Sequence, residues 1–258
     1  MIHTTLHQSR YDLRAFLRNR QSQFFTLALP ILFLVIFASL FGGRGNTTQV
    51  AGGRISTSVY YVPGIIALGV IAACFGNLVA SVTAQRERGV LKRRRATPVP
   101  AAAIIAGRVL TAVLIAVAIA AVLLAIGWAA YGAHVPGRTA LALAVTVVIG
   151  AASFCCLGYA LTSLVRTEDA ALPAAMALTL PLYFISGVFV AVTVLPHWLA
   201  DVGQIFPVRA LASALLTAYN PHTTGLGFAG RDLLIVAAWG AAGLLIAVRK
   251  FTWLPRGR

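Results

Sequence analysis

Charge is scarce in this chain. Only 10% of its 258 residues are charged, and the acidic ones number six: Asp12, Glu87, Glu168, Asp169, Asp201 and Asp232. None lies inside an apolar run, so the sequence lacks the midplane ionisable group that proton-coupled transporters commonly carry. Lysine is rarer still. Lys92 and Lys250 are the whole set, and neither follows the glycine of a G-x-x-x-x-G-K-[ST] loop, which excludes a P-loop ATPase. His3, His7, His134, His197 and His222 are scattered, with no H-E-x-x-H or Cys/His spacing that would hold a metal. There are three cysteines: Cys155 and Cys156 are adjacent and Cys74 sits in a separate apolar run, so packing roles are expected and no disulfide framework. A G-x-S-x-G elbow is missing too, and no cluster of carboxylates or histidines offers an integral-membrane enzyme its active site.

What the chain has instead is hydrocarbon. Hydrophobic residues make up 59% of it and the mean hydropathy is +0.86, which excludes disorder and argues against a soluble enzyme. Six stretches are long and apolar enough to span a bilayer: 24 to 41, 60 to 83, 101 to 127, 139 to 163, 171 to 194 and 231 to 248. The sequence therefore predicts an all-α integral membrane protein of six transmembrane helices, one transmembrane domain over 1 to 258. The mostly polar residues before Phe24, and the length of the first apolar run, predict that no signal peptide is cleaved.

The net charge of +15 would suggest nucleic acid in a soluble protein, but position decides against that partner. Fifteen of the 21 basic residues fall in four segments between apolar runs: Arg10, Arg14, Arg18 and Arg20; Arg86, Arg88, Lys92, Arg93, Arg94 and Arg95; Arg166; and Arg249, Lys250, Arg256 and Arg258. The alternate loops hold only Arg44, Arg54, Arg138 and Arg209. Basic loops stay cytoplasmic against anionic lipid, so both termini of this multi-pass protein are expected in the cytoplasm. Arg far outnumbering Lys, with abundant Ala, is compatible with a GC-rich bacterium and so with its inner membrane.

Three segments outside the spans carry features of their own. Residues 1 to 23 read as an amphipathic interface helix, with Leu6, Leu13, Phe16 and Leu17 near one face and Arg10, Arg14 and Arg18 on another; it is either a surface anchor or a lever. The cytoplasmic loop 84 to 100 is short, charged and ended by proline, which suits a helix that docks in a cleft on a soluble partner. In the external loop 195 to 230, the apolar stretch Ala210 to Tyr219 is too short to span and suits a re-entrant helix before the last span.

Arg86-Glu87-Arg88-Gly89-Val90-Leu91-Lys92-Arg93, followed by Ala96-Thr97-Pro98-Val99, resembles the R-E-x-G-T-L-E-R-L-x-x-T-P-V signature of ATP-binding-cassette type-2 permeases, the family of daunorubicin-resistance and polysaccharide-export permeases. Pro63-Gly64-Ile65, Ser186-Gly187-Val188-Phe189, Leu195-Pro196-x-Trp198-Leu199 and Phe206-Pro207 match in order, so the resemblance runs the length of the chain. Val90 replaces the usual threonine, Arg94 a leucine, and Ala191 a proline that often follows Ser-Gly-x-Phe.

The resemblance implies a permease subunit of an ATP-driven exporter of an amphiphilic drug, lipid or secondary metabolite. Glycan export, or a nucleotide-independent channel or scaffold, are the alternatives. It implies a second permease copy, identical or a sister chain, and two ATPase subunits that bind the ATP and Mg; no cofactor is expected in this chain. The 84 to 100 loop becomes the coupling helix, with Arg86, Glu87, Arg88, Gly89 and Leu91 as its contact residues. There Glu87 accepts from a partner's cation or offsets Arg86 and Arg88, and Gly89 permits close approach. Substrate is expected along the second and fifth spans, where Asn77 offers an amide and Phe75, Tyr183, Phe184 and Phe189 offer rings. The competing expectation is that Asn77 bonds to a neighbouring helix and the rings pack. Glu168 and Asp169 are expected to cap the span that follows them or to pair with the basic loop, and Arg108 to reach the headgroups.

Overall fold

Backbone amides in an apolar run find their partners within the run itself, so the long apolar stretches of this chain fold as helices. The computed structural model describes residues 2–18, 20–42, 46–95, 101–190, 192 and 195–251. In order it contains α1 (Ile2–Arg18), α2 (Arg20–Phe41), β1 (Thr47–Val50), β2 (Gly53–Ser56), α3 (Thr57–Ile71), a π-helical turn (Ala72–Gly76), α4 (Asn77–Glu87) and α5 (Val90–Arg95). There follow α6 (Ala101–Tyr131), α7 (Ala140–Thr162), α8 (Glu168–Ile185), α9 (His197–Ile205), α10 (Pro207–Tyr219) and α11 (Gly230–Lys250).

The centre of the molecule is one continuous helix, Thr57–Glu87, made of α3, the π turn and α4; 72% of its apolar window is buried, against 22% for α11. It touches α2, α6, α7, α8 and α10. Val62, Ile65, Ile66, Val70, Ile71, Cys74 and Val79 are fully buried along it. No polar stripe survives in α3 because neighbours cover it on all sides. The outer helices pack through small residues. A Cβ on Gly240 would stand 2.6 Å from Ser153 Oγ, and one on Gly243 2.9 Å from the Leu157 nitrogen, so α11 lies nearly backbone to backbone on α7.

Five of the six predicted stretches fall on helices over nearly their whole length; the fifth, 171 to 194, is helical only as far as Ile185, where α8 ends. By length and composition, however, four described helices suit a membrane crossing: 57–87, 103–131, α7 and α11. The bent pair α9 and α10 makes a fifth if it counts as one span. Of the other two, the apolar part of α2 is the shorter Thr26–Phe41, and the 18 residues of α8 include Glu168, Asp169, Pro173 and Pro181.

Three segments add local detail to the sequence reading. Residues 47–56 form an antiparallel hairpin, pairing Thr47 with Ser56 and Val50 with Gly53, around Ala51 and Gly52, whose φ of +87° is glycine's territory. The predicted 1 to 23 helix falls on α1 and the start of α2, with Asn19 outside the described residues, and α1 turns a polar face inward. Ser9 is buried, its carbonyl accepts a hydrogen bond from Thr111 Oγ1 of α6 at 3.2 Å, and Leu17 is 59% exposed. The apolar Ala210 to Tyr219 stretch lies in α10, which meets α9 at 95° beside Pro207 and is buried through Leu211, Leu215 and Tyr219. Proline at the first position of α10 is compatible with a helix start, since the missing N–H has no intrahelical partner there.

Candidate coupling segment and pathway residues

At the end of the central helix, consecutive side chains of opposite charge reach the turn between α7 and α8. Arg86 is fully buried. Its Nη1 donates to the Thr162 carbonyl at 2.6 Å, and its Nη2 to those of Val165 at 2.6 Å and Arg166 at 3.2 Å. These are the carbonyls at and just past the C-terminus of α7, where the helix dipole is negative and a cation is welcome. Glu87 does the converse: its Oε2 accepts the Glu168 N–H at 2.9 Å, at the positive start of α8. Thr167 is the N-cap of the same helix, accepting from the Ala170 N–H at 3.4 Å. Arg88 completes the attachment with an exposed ion pair to Glu168 at 2.7 Å. Glu168 thus both begins α8 and pairs with the basic segment.

Gly89 ends α4 at φ +68°, and a Cβ there would meet no atom within 4 Å. Glycine is needed here for the left-handed turn. Leu91 is buried beside Ile104, Ile105 and Tyr159, which anchors α5. Of the five residues expected to face a partner, Arg86 and Leu91 therefore point inward, Glu87 and Gly89 are half-buried, and Arg88 is exposed, as are Lys92 and Arg93. Residues 96 to 100, the Ala-Thr-Pro-Val end of the signature, lie outside the described residues, as do Ala191 and the tail from 252.

The residues expected to touch substrate divide into three places. Asn77 Nδ2 donates to Thr26 Oγ1 of α2 at 2.6 Å, so the amide does bond to a neighbouring helix. It also borders a cavity of about 230 Å³ walled by Asp12 and Phe16 of α1, Ser81 and Gln85 of α4, and Arg108 and Thr111 of α6. Arg108 is engaged there, donating to Gln85 Oε1 at 3.0 Å and to Ser81 Oγ. Asn77, Ser81 and Gln85 recur every four residues, one polar stripe on α4. That spacing is visible in the sequence and was the signal for this cavity.

Phe75 lies in the π turn, buried and edge-on to Phe154 of α7 at 6.4 Å. Tyr183, Phe184 and Phe189 come together elsewhere, with Phe189 5.5 Å from Tyr183 and 5.2 Å from Phe184. Phe189 also stacks on Phe37 of α2 at 5.4 Å and lies 5.3 Å from Phe33. Sequence reasoning missed these two α2 rings, whose spacing of four places them on one helix face. Phe184, 52% exposed, is the outermost member.

Comparison with known proteins bears on the same segments. The family model for the ABC-2 type transporter matches residues 8–219, from α1 through the end of α10. The chain is 29% identical over 150 residues to the probable multidrug ABC transporter permease YbhR of Escherichia coli K12, a match covering 58% of this chain and 40% of that protein. It is 25% identical over 244 residues to the inner membrane transport permease YadH of the same organism, covering 90% of this chain and 88% of the relative. With the family model spanning most of its length and its helices suited to crossing a bilayer several times, the chain belongs to the ABC-2 type transporter family, as a multi-pass membrane permease component.

Proposed function

We propose that this chain is the membrane subunit of an ATP-driven exporter that moves an amphiphilic compound out of the cytoplasm. ATP and Mg are held by a separate ATPase, two copies of which serve a pair of permease chains. In this reading six helices cross the inner membrane, α2, α3 to α4, α6, α7, α8 and α11, with both termini in the cytoplasm. The similarity to a probable multidrug permease and to an inner membrane transport permease supports it.

The observation that carries the proposal is the attachment of Arg86, Glu87 and Arg88 to the α7–α8 turn. A force on α5 is delivered through α4 to two further helices as well, because Arg86 holds the end of α7 and Glu87 the start of α8. The exposed Arg88, Lys92 and Arg93 form the face offered to an acidic cleft on the ATPase, and the inward groups carry the push. The ring cluster of Tyr183, Phe184 and Phe189 is the apolar contact for substrate, and Asn77 serves the polar cavity. A ligand-driven shift of this kind requires the ATPase to grip the segment differently in its two nucleotide states.

The test is co-expression with a candidate ATPase, co-purification, and transport in inverted vesicles. Glu87→Arg is expected to leave the permease in the membrane and bound to its partner, with export lowered at least tenfold. Unchanged export in that variant, or full transport without any ATPase, overturns the reading.

A further inference from the structure

A second polar site lies at the other end of the central helix. There α10 begins at Pro207 and α11 at Gly230, and a cavity of about 420 Å³ lies between them. Gln204, Arg209, Ser213, Arg231 and Asp232 line it. Two guanidinium groups against one carboxylate leave it positively charged, and the first turns of both helices add their positive dipole ends.

Arg209 is the unusual member. It is half-buried, and its Nη1 is shut off from solvent with no hydrogen-bond partner among the described residues. A buried guanidinium nitrogen without an acceptor is costly and uncommon in a folded protein. That nitrogen lies 3.3 Å from the place a Cβ on Gly187 would take, in a smaller cavity of about 60 Å³ that also touches Tyr60, Ser186 and Ser213. Arg209 and Ser213 line both cavities, so the guanidinium stands in the wall between them. What is absent among the described residues is an acceptor.

We propose that this cavity binds the anionic oxygen headgroup, phosphate or carboxylate, of an amphiphile, with Arg209 and Arg231 as its grip. Planar guanidinium forks match such oxygens in pairs, and Ser213 and Gln204 supply neutral donors. The volume falls within the roughly 300–1,000 Å³ of small-molecule sites and far exceeds the space of one water. An apolar path adjoins it: Ile205 and Leu234, 64% and 72% exposed, stand on the flanking helices. Beside them Trp239 stacks on Phe206 at 6.3 Å and donates to the Ile205 carbonyl at 2.8 Å. A headgroup in the cavity leaves its tail along these residues. A free phosphate would use the same donors but gain nothing from them.

This site does not rest on the export reading, because binding is measured on the permease alone, without an ATPase. The purified chain in non-ionic detergent is titrated calorimetrically with dihexanoyl-phosphatidylglycerol, uncharged dihexanoylglycerol and inorganic phosphate. The anionic lipid is expected to saturate and to bind at least tenfold more tightly than either control. Arg231→Gln, at an exposed position, is expected to weaken it at least fivefold with Tm unchanged; Arg209→Gln weakens it further, and Arg209→Lys recovers part. Equal affinity for the uncharged lipid, or no loss in Arg231→Gln, overturns the site. Phosphate binding as tightly as the lipid overturns the amphiphile as its occupant. Should Arg209→Gln fail to fold, Arg231→Gln decides alone.

Discussion

The central helix meets a guanidinium at each end, one fully and one half buried, and the two are handled in opposite ways. Arg86, near its last turn, is fully enclosed and donates to three carbonyls at the end of α7. Arg209, beside Tyr60 about 40 Å away at the helical rise of ~1.5 Å per residue, keeps an enclosed Nη1 with no acceptor among the described residues. The same side chain serves different ends because of what surrounds it. A helix C-terminus supplies carbonyls in number and turns an arginine into part of the frame. Two helix N-termini supply N–H groups rather than carbonyls, and offer the cation no acceptors of that kind.

The sharpest way to break this contrast is at Arg86. Arg86→Met removes a buried, hydrogen-bonded charge and leaves the carbonyls of Thr162, Val165 and Arg166 without their donor, a loss of roughly 1–3 kcal/mol for each buried acceptor left unpaired. The expected result is loss of monodisperse protein on size exclusion, or a large fall in Tm, with partial recovery in Arg86→Lys, which keeps the charge but not the fork. A stable, monodisperse Arg86→Met would show that the capped end is no more built in than the open one. A smaller effect is expected from Asn77→Leu. It removes the bond to Thr26 and costs about 0.6 kcal/mol, the average for hydrogen bonds between membrane helices, read as a shift of one or two degrees in thermal stability. Arg88→Gln should do least. Its ion pair with Glu168 is exposed, so the change in stability is expected to stay within ~1 kcal/mol and to vanish in high salt.

Much of the helical layout was legible. Apolar length marked the helices, and Pro207 and the short apolar run behind it marked α10. The polar stripe Asn77, Ser81 and Gln85 was equally open to reading through its spacing, yet only Asn77 stood out, because Ser and Gln are unremarkable singly. The hairpin at 47–56 escaped because strands so short carry no alternation long enough to read, and only Gly52-Gly53 marked its turn.

The 86–91 segment shows where reading stops. A signature names residue types, and a run of charge in a loop looks solvent-facing from end to end. The partners of Arg86 and Glu87 lie some 80 positions further along, and no local pattern announces them.

From composition and order alone came the membrane setting, the helical character and the family, because hydrocarbon solvent admits so few backbone solutions and the motifs recur in one order. Which way each charged group turns was left to the packed structure. That depends on which helix ends lie within reach, and helix ends far apart in sequence become neighbours only when the helices assemble.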